Sequence, residues 1–366
     1  MNDDYGGLLK VTESGFWCEA GGFFVDPWRS VDRAVITHAH ADHLAWGCGR
    51  YLVARDGLAV ARVRLGESAT IDAVDYGAPV DLGGVKVSLH PAGHILGSAQ
   101  VRVEHRGRVW VASGDYKIEP DVTCRTFEPV QCHVFISECT FGLPIYRWRP
   151  RREVLDSIVA WWQGNCESGR SSILYAYSLG KAQRVLGGLV ESRIDLPGPI
   201  YTHGAVEAMN AAYRRSGVVL PPTIPARSAG AGGRFEGVGA LIVAPPSAAG
   251  SPWVRRFGEA SSAFVSGWMR IRGARRRRSV DRGFVLSDHV DWPGLLSAID
   301  ATGAESVWLT HGYTAVVARW LRDRGRDARP VATRYEGEVE GASGDEPDAD
   351  RDIPVSIDPS GGPAID

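Results

Sequence analysis

The chain has 366 residues, 44% of them hydrophobic and 23% charged. That is the composition of a soluble globular protein, with no apolar run near the ~20 residues needed to cross a bilayer, and its length predicts two domains or one domain with a large insertion. The net charge of −2 hides an asymmetry: residues 336–366 hold ten acids and one base, which leaves 40 Lys and Arg against 33 Asp and Glu in a body basic enough to favour a polyanion.

Met1-Asn2-Asp3-Asp4 lacks the basic start and apolar core of a secretory signal, so a cytoplasmic location is expected. The six cysteines form no Cys-x-x-Cys pair and read as reduced thiols. Strands are predicted at 8–11 and 23–26, the second ending in Asp26. Ala34-Val35-Ile36-Thr37 reads as a buried strand that runs into His38-Ala39-His40-Ala41-Asp42-His43. Four potential ligands within six residues suit a metal ion, since imidazole favours zinc and a carboxylate completes or bridges a site. Packed so tightly without a cation, these groups would repel and desolvate one another.

Residues 80–90 alternate like a strand and lead to Gly93-His94. Strands at 99–103 and 109–112 follow, the latter stopping at Ser113-Gly114-Asp115, and Val134-Phe135-Ile136-Ser137 stops at Glu138. From Leu143 the pattern changes to alternating helices and strands: helix 151–163, strand 173–177, helix 179–191, strand 199–202, helix 205–215, strand 241–243 and strand 263–266, a rhythm that argues for a parallel sheet. An arginine run (Arg270, Arg272 and 275–278) precedes a strand at 283–287 that stops at Asp288-His289, and a strand at 306–310 stops at His311. Helices are expected at 293–301 and 313–324, and the acidic residues after Tyr335 read as a disordered tail.

His38, Asp115, Glu138, His289 and His311 each sit at or just beyond the end of a short strand, and His94 follows one by a short turn. Loops at strand ends present functional groups to one rim of a sheet, so these six form one candidate site. His90, His105, His133 and His203 fall outside the pattern and read as surface or packing residues, His203 being the one placed best to touch substrate.

In this order, H-x-H-x-D-H, Gly93-His94 and Ser113-Gly114-Asp115 resemble the ligand motifs of the metallo-β-lactamase fold, with Asp26 similar to its first motif. Glu138, His289 and His311, in Ser137-Glu138-Cys139-Thr140, Ser287-Asp288-His289 and Thr310-His311-Gly312, resemble motifs A, B and C of the beta-CASP nucleases. Residues 176–184 and 270–289 look like the bacterial ligase-associated DNA exonucleases. The resemblance implies an α/β protein: a metallo-β-lactamase αββα sandwich at 1–143 and 265–335, an inserted Rossmann-like βαβ beta-CASP domain at 144–264, and the acidic tail at 336–366.

It further implies one zinc ion on His38, His40, His94 and Asp115 and a second on Asp42, His43, Asp115 and His311, with Asp115 bridging, Asp26 orienting a ligand, and manganese as an alternative metal. Two such cations clamp a phosphodiester and activate a water. Asp42, Asp115, His289 and Glu138 are the catalytic candidates, His289 as general acid with Glu138 on its second nitrogen. Ser178 and Lys181, between a strand and a helix, read as a phosphate cradle; Arg275 and Arg276 as backbone contacts; Trp46, Trp148 and Trp268 as stacking candidates among 12 tryptophans that mostly serve packing.

The resemblance implies a metal-dependent DNA exonuclease acting 5′ to 3′ on single strands or ends in repair, associated with a DNA ligase and a helicase, and no membrane partner is expected. An RNA nuclease is the alternative, since the same site cleaves either phosphodiester. A small-molecule hydrolase would not need the βαβ insertion, and an inactive nucleic-acid-binding scaffold would have lost ligands that are all present here.

Overall fold

A computed structural model describes residues 7–334 apart from 193–194, 229–234, 236, 238 and 278, and apart from the side chains of 274, 275 and 277. The tail at 336–366 lies outside the described residues.

Strands β1 (Lys10–Thr12), β2 (Gly15–Cys18), β3 (Phe23–Val25), β4 (Arg33–Val35), β5 (Arg50–Ala54) and β6 (Ile71–Val74) form a six-stranded sheet in sequence order, with helix α1 (Leu58–Leu65) between the last two. Next come β7 (Val80–Leu82), β8 (Val85–Pro91), β9 (Ala99–His105), β10 (Arg108–Ala112) and β11 (Val134–Cys139). The single strand expected at 80–90 is a hairpin, because Gly83 and Gly84 both take positive φ (64° and 85°) and turn the chain.

The chain then builds a third sheet from α2 (Arg151–Glu167), β12 (Ser171–Tyr175), α3 (Lys181–Glu191), β13 (Ile200–Thr202), α4 (Gly204–Arg215), β14 (Ile224–Pro225), β15 (Leu241–Ala244), α5 (Pro252–Arg255), β16 (Ala260–Val265), α6 (Arg272–Arg277) and β17 (Arg282–Phe284). Its order is β14-β13-β15-β12-β16-β17 and every pair is parallel. Strands β12 and β15 are buried on both faces, as a sheet covered by crossover helices requires. Strand β17, leading to His289, belongs to this sheet by its register with β16, so the return expected from residue 265 begins only after it.

Helix α7 (Trp292–Ala301), β18 (Ser306–Gly312), α8 (Thr314–Arg322) and β19 (Asp327–Pro330) complete the second sheet as β19-β18-β11-β10-β9-β8-β7. Phe16, Phe23, Val25 and Leu52 of the first sheet meet Val101, Val103, Trp110 and Trp308 of the second in one core. The outer face of the second sheet packs Val111, Phe135 and Val307 on α7 and α8, and the outer face of the first packs Ala34, Tyr51 and Val53 on α1 and, in the same cluster, on α2 to α4. Burial of these side chains, each contributing roughly 1.5–3 kcal/mol, is the main force that brings the three sheets together. Among the described residues no helix is long and apolar enough to cross a membrane.

Candidate metal centre

Three neighbouring parallel strands set the rim of the site. Strands β10, β11 and β18 run side by side in register; Asp115 follows the end of β10, and Glu138 and His311 are the next-to-last residues of β11 and β18. Across the inter-sheet core, β3 and β4 end at Asp26 and at the loop of His38, His40, Asp42 and His43. The two rims touch at Gly114, where a Cβ would lie 2.5 Å from that of Thr37. Asp26 and His311 hold positive φ (44° and 55°), conformations that cost non-glycine residues free energy and that surrounding contacts must enforce.

His38, His40, His94 and Asp115 form one group. His40 Nδ1 lies 3.1 Å from Nε2 of both His38 and His94, and Asp115 Oδ2 lies 3.5 Å from His38 and 3.8 Å from His94. Donors around a tetrahedral ion with bonds of ~2.0–2.1 Å stand about 3.3 Å apart, so these spacings fit one. Outer contacts fix the tautomers. His94 Nδ1–H donates to the Asp288 carbonyl at 2.9 Å and His40 Nε2–H to the Leu179 carbonyl at 3.2 Å, which turns the other nitrogen of each ring inward. Burial pushes His38, His40 and His94 below the usual histidine range, into the neutral state that can ligate.

His43, Asp115 and His311 form the second group, with His43 Nε2 3.5 Å from Asp115 and 3.6 Å from Asp42, and His311 Nδ1 3.6 Å from Asp115. Asp26 accepts from Thr37 through both the backbone N–H (2.8 Å) and the hydroxyl (2.6 Å), and takes His43 Nδ1–H at 2.7 Å. Two observations test whether a cation fits. Buried His43 Nε2 and Asp115 Oδ1 have no hydrogen-bond partner among the described residues. Burial opposes a charge on His43, yet Asp42, Asp115 and Asp26 outweigh it and lift His43 well above its ordinary range, so a proton stands where a metal ion would satisfy the same carboxylates. Burial likewise works to raise Asp115, and the imidazoles of His43, His289 and His311 hold it well below the usual carboxylate range. Both groups can therefore hold metal, and Asp115 is common to them.

Beside them, Glu138 faces His289 Nδ1 with both oxygens at 3.0 and 2.9 Å and accepts the Tyr116 N–H at 2.8 Å. His289 and Glu138 are both buried, and the His289 ring lies 4.7 Å from that of His94.

Other residues singled out in the sequence lie elsewhere. Lys181 is fully buried, its ammonium 2.9 Å from the Asp288 carboxylate, so it is not presented to a substrate phosphate. Ser178 is buried, and its hydroxyl has no partner among the described residues. Arg276 is exposed, and the Arg275 side chain lies outside the described residues. Trp46 is exposed. Trp148 donates its indole N–H to the His289 carbonyl at 2.9 Å, and Trp268 is buried against Phe141 in the core. His203 caps α4 by accepting the Ala205 N–H and packs on Trp253; His90 bonds Ser88, His105 the Gly84 carbonyl, and His133 the Val109 N–H. All six cysteines are free. Arg184, not anticipated, is buried and donates to the carbonyls of Gly93 (3.1 Å) and His94 (2.7 Å), fixing that loop from α3.

No protein-family model matches the chain. It is 30% identical, over 317 residues and 86% of its length, to a probable DNA ligase from Opitutus terrae, 30% of which is covered. Two proteins named endoribonuclease Ysh1 match about a third of it: that of Neurospora crassa at 31% identity over 121 residues (32% of this chain, 14% of that protein), and that of Saccharomyces cerevisiae at 33% over 119 residues (32% and 15%). The chain thus spans less than a third of the length of these curated relatives. A solved protein of unknown function from Enterococcus faecalis shares the fold, with a TM-score of 0.54 at 10% identity over 84% of this chain and 80% of that one. The relatives support the metallo-β-lactamase/beta-CASP nuclease group for this chain.

Proposed function

We propose that the chain is a metal-dependent phosphodiesterase that trims DNA exonucleolytically, from a 5′ end, in repair. One observation carries the reading: His38, His43, His94 and His311, from three separate segments, all reach one Asp115 carboxylate within 3.5–3.8 Å, with the His289–Glu138 pair at its edge. The four-layer core then corresponds to the metallo-β-lactamase sandwich and the third sheet to the beta-CASP insertion.

In this reading His38, His40, His94 and Asp115 hold one ion, and Asp42, His43, Asp115 and His311 a second, zinc or manganese. Bound there, the ions supply Lewis acidity and an activated water for in-line attack on phosphorus. Asp26 keeps His43 turned so that Nε2 faces the centre. Glu138 accepts a hydrogen bond from the Nδ1–H of His289, and its carboxylate would stabilise the imidazolium form, whose Nε2 proton passes to the leaving 3′-oxygen and leaves a neutral ring. Exposed Arg147 and Arg149 flank Trp148, which is bonded to the His289 backbone, and with Arg276 they would track the phosphates of a strand entering beside the proton donor. The likeness to a protein named as a DNA ligase favours DNA ends as substrate and a ligase as associate; a helicase associate rests on the family resemblance alone.

RNA is the second reading, favoured by the match to endoribonucleases over 121 residues. Digestion of 5′- and 3′-labelled single-stranded and duplex DNA, and of matched RNA, with added zinc or manganese tests both. A ladder of DNA products shortened from the 5′ end is expected; faster cleavage of RNA would reverse the assignment.

A further inference from the structure

We propose that Lys181 is an internal counter-cation that keeps a third donor group, His94, Asp288 and His289, closed to metal. The proposal rests on reading the Asp115 groups as metal sites.

The third group is a complete ligand set by chemistry. Two imidazoles and a carboxylate, all buried, suffice for a divalent ion such as zinc. It shares His94 with the first group of the centre and holds His289, the proposed proton donor. A metal ion there would draw His94 from its partners His38 and His40 and engage the Nε2 of His289 that the reaction needs.

Charge separates this group from its neighbours. The Lys181 ammonium, with no exposed surface, lies 2.9 Å from Asp288 Oδ1 and 4.9 Å from the centre of the Tyr177 ring. A buried carboxylate requires a positive partner, and an ammonium provides one without accepting ligands. Asp288 Oδ1 stands 4.0 Å from His289 Nε2. Lys181 opens helix α3 of the third sheet, so a residue of that sheet guards the donor set of the centre. Replacing it with a neutral side chain of similar length removes the cation in contact with Asp288, leaving the carboxylate beside two imidazoles with only the more distant Arg184, and a divalent ion is the natural replacement.

The test is the number of metal ions per full-length chain, measured by native mass spectrometry after loading with zinc and desalting. Lys181→Met should hold one ion more than wild type, Lys181→Arg the wild-type number, and the double variant Lys181→Met with His289→Ala should lose the extra ion. A folded Lys181→Met protein with the wild-type count, or with fewer ions, overturns the proposal. If Lys181→Met does not fold by circular dichroism, Lys181→Gln carries the same test under the same criteria. A wild-type chain that binds no zinc would instead defeat the reading of the Asp115 groups, so the two failures are distinguishable.

Discussion

Glu138 meets the Nδ1 nitrogen of His289 with both of its carboxylate oxygens, at 3.0 and 2.9 Å. The two residues are 151 positions apart, on β11 and beyond β17, and neither belongs to the two groups assigned to metal. The proposed proton donor would be held by this fixed acceptor. Replacing His289 by Ala should lower single-turnover cleavage by about 10²–10⁴ with metal content unchanged. Glu138→Gln, which keeps an acceptor but loses the charge, should fall between that variant and wild type. Loss of metal from His289→Ala would show that the ring is a ligand instead.

Asp115 lies between two sets of imidazoles, and Asp42 beside only one of them. Asp115→Asn is therefore expected to deplete metal from both groups, whereas Asp42→Asn should abolish cleavage while oligonucleotide binding persists. Metal analysis and fluorescence anisotropy check the pair. Full activity in Asp42→Asn would remove that residue from the assigned set.

Asp26 bonds His43 and Thr37, one contact outside the proposed centre. Partners of this kind typically account for 10–100-fold in metal affinity. Asp26→Ala should weaken zinc binding by about that factor in a chelator competition. The positive φ at this position adds a second consequence: Asp26→Gly should keep the backbone turn yet still lose affinity, which separates the carboxylate from the conformation.

The residues proposed as donors stand out in the sequence because the folded rim is made of strand ends, and strand ends are marked by short apolar runs that stop at a polar residue. Their orientation does not. The carbonyls of Leu179 and Asp288 that set the tautomers of His40 and His94 are backbone atoms with no side-chain signature. Lys181 follows Gly180 at a helix start and so resembles a phosphate contact; its partner Asp288 is distant in sequence, and only the third sheet brings them together. Helix α1, Leu-Ala-Val-Ala-Arg-Val-Arg-Leu, has no helical period of apolar residues, because Arg64 is itself buried and donates to the Ala39 carbonyl at 3.2 Å. Strand β19, Asp-Ala-Arg-Pro, is a strand through its register with β18 alone.

The loop carrying His94 depends on a buried charge cluster whose pH response can be worked out. Asp121 pairs with Arg151 and Arg184, and Arg184 in turn holds the carbonyls of Gly93 and His94. Burial acts to raise the Asp121 pKa, but Arg184, Arg151 and the Thr123 hydrogen bonds outweigh it and keep the carboxyl below its ordinary value of 3.8. Because the folded value is the lower one, ionised Asp121 stabilises the fold above the unfolded pKa, and that contribution is lost as pH falls through the folded value. Asp121→Asn takes the carboxylate from Arg184 and leaves Arg151 only Glu191, and should cost about 3–5 kcal/mol at neutral pH, the range for breaking a buried ion pair. As pH falls below about 4 the contribution declines, and it is gone once Asp121 is protonated in the folded state at still lower pH, so the difference between the two proteins should shrink over that range. Urea unfolding followed at both pH values checks this: a difference that stays constant would mean that Asp121 acts through shape and hydrogen bonding, not through its charge.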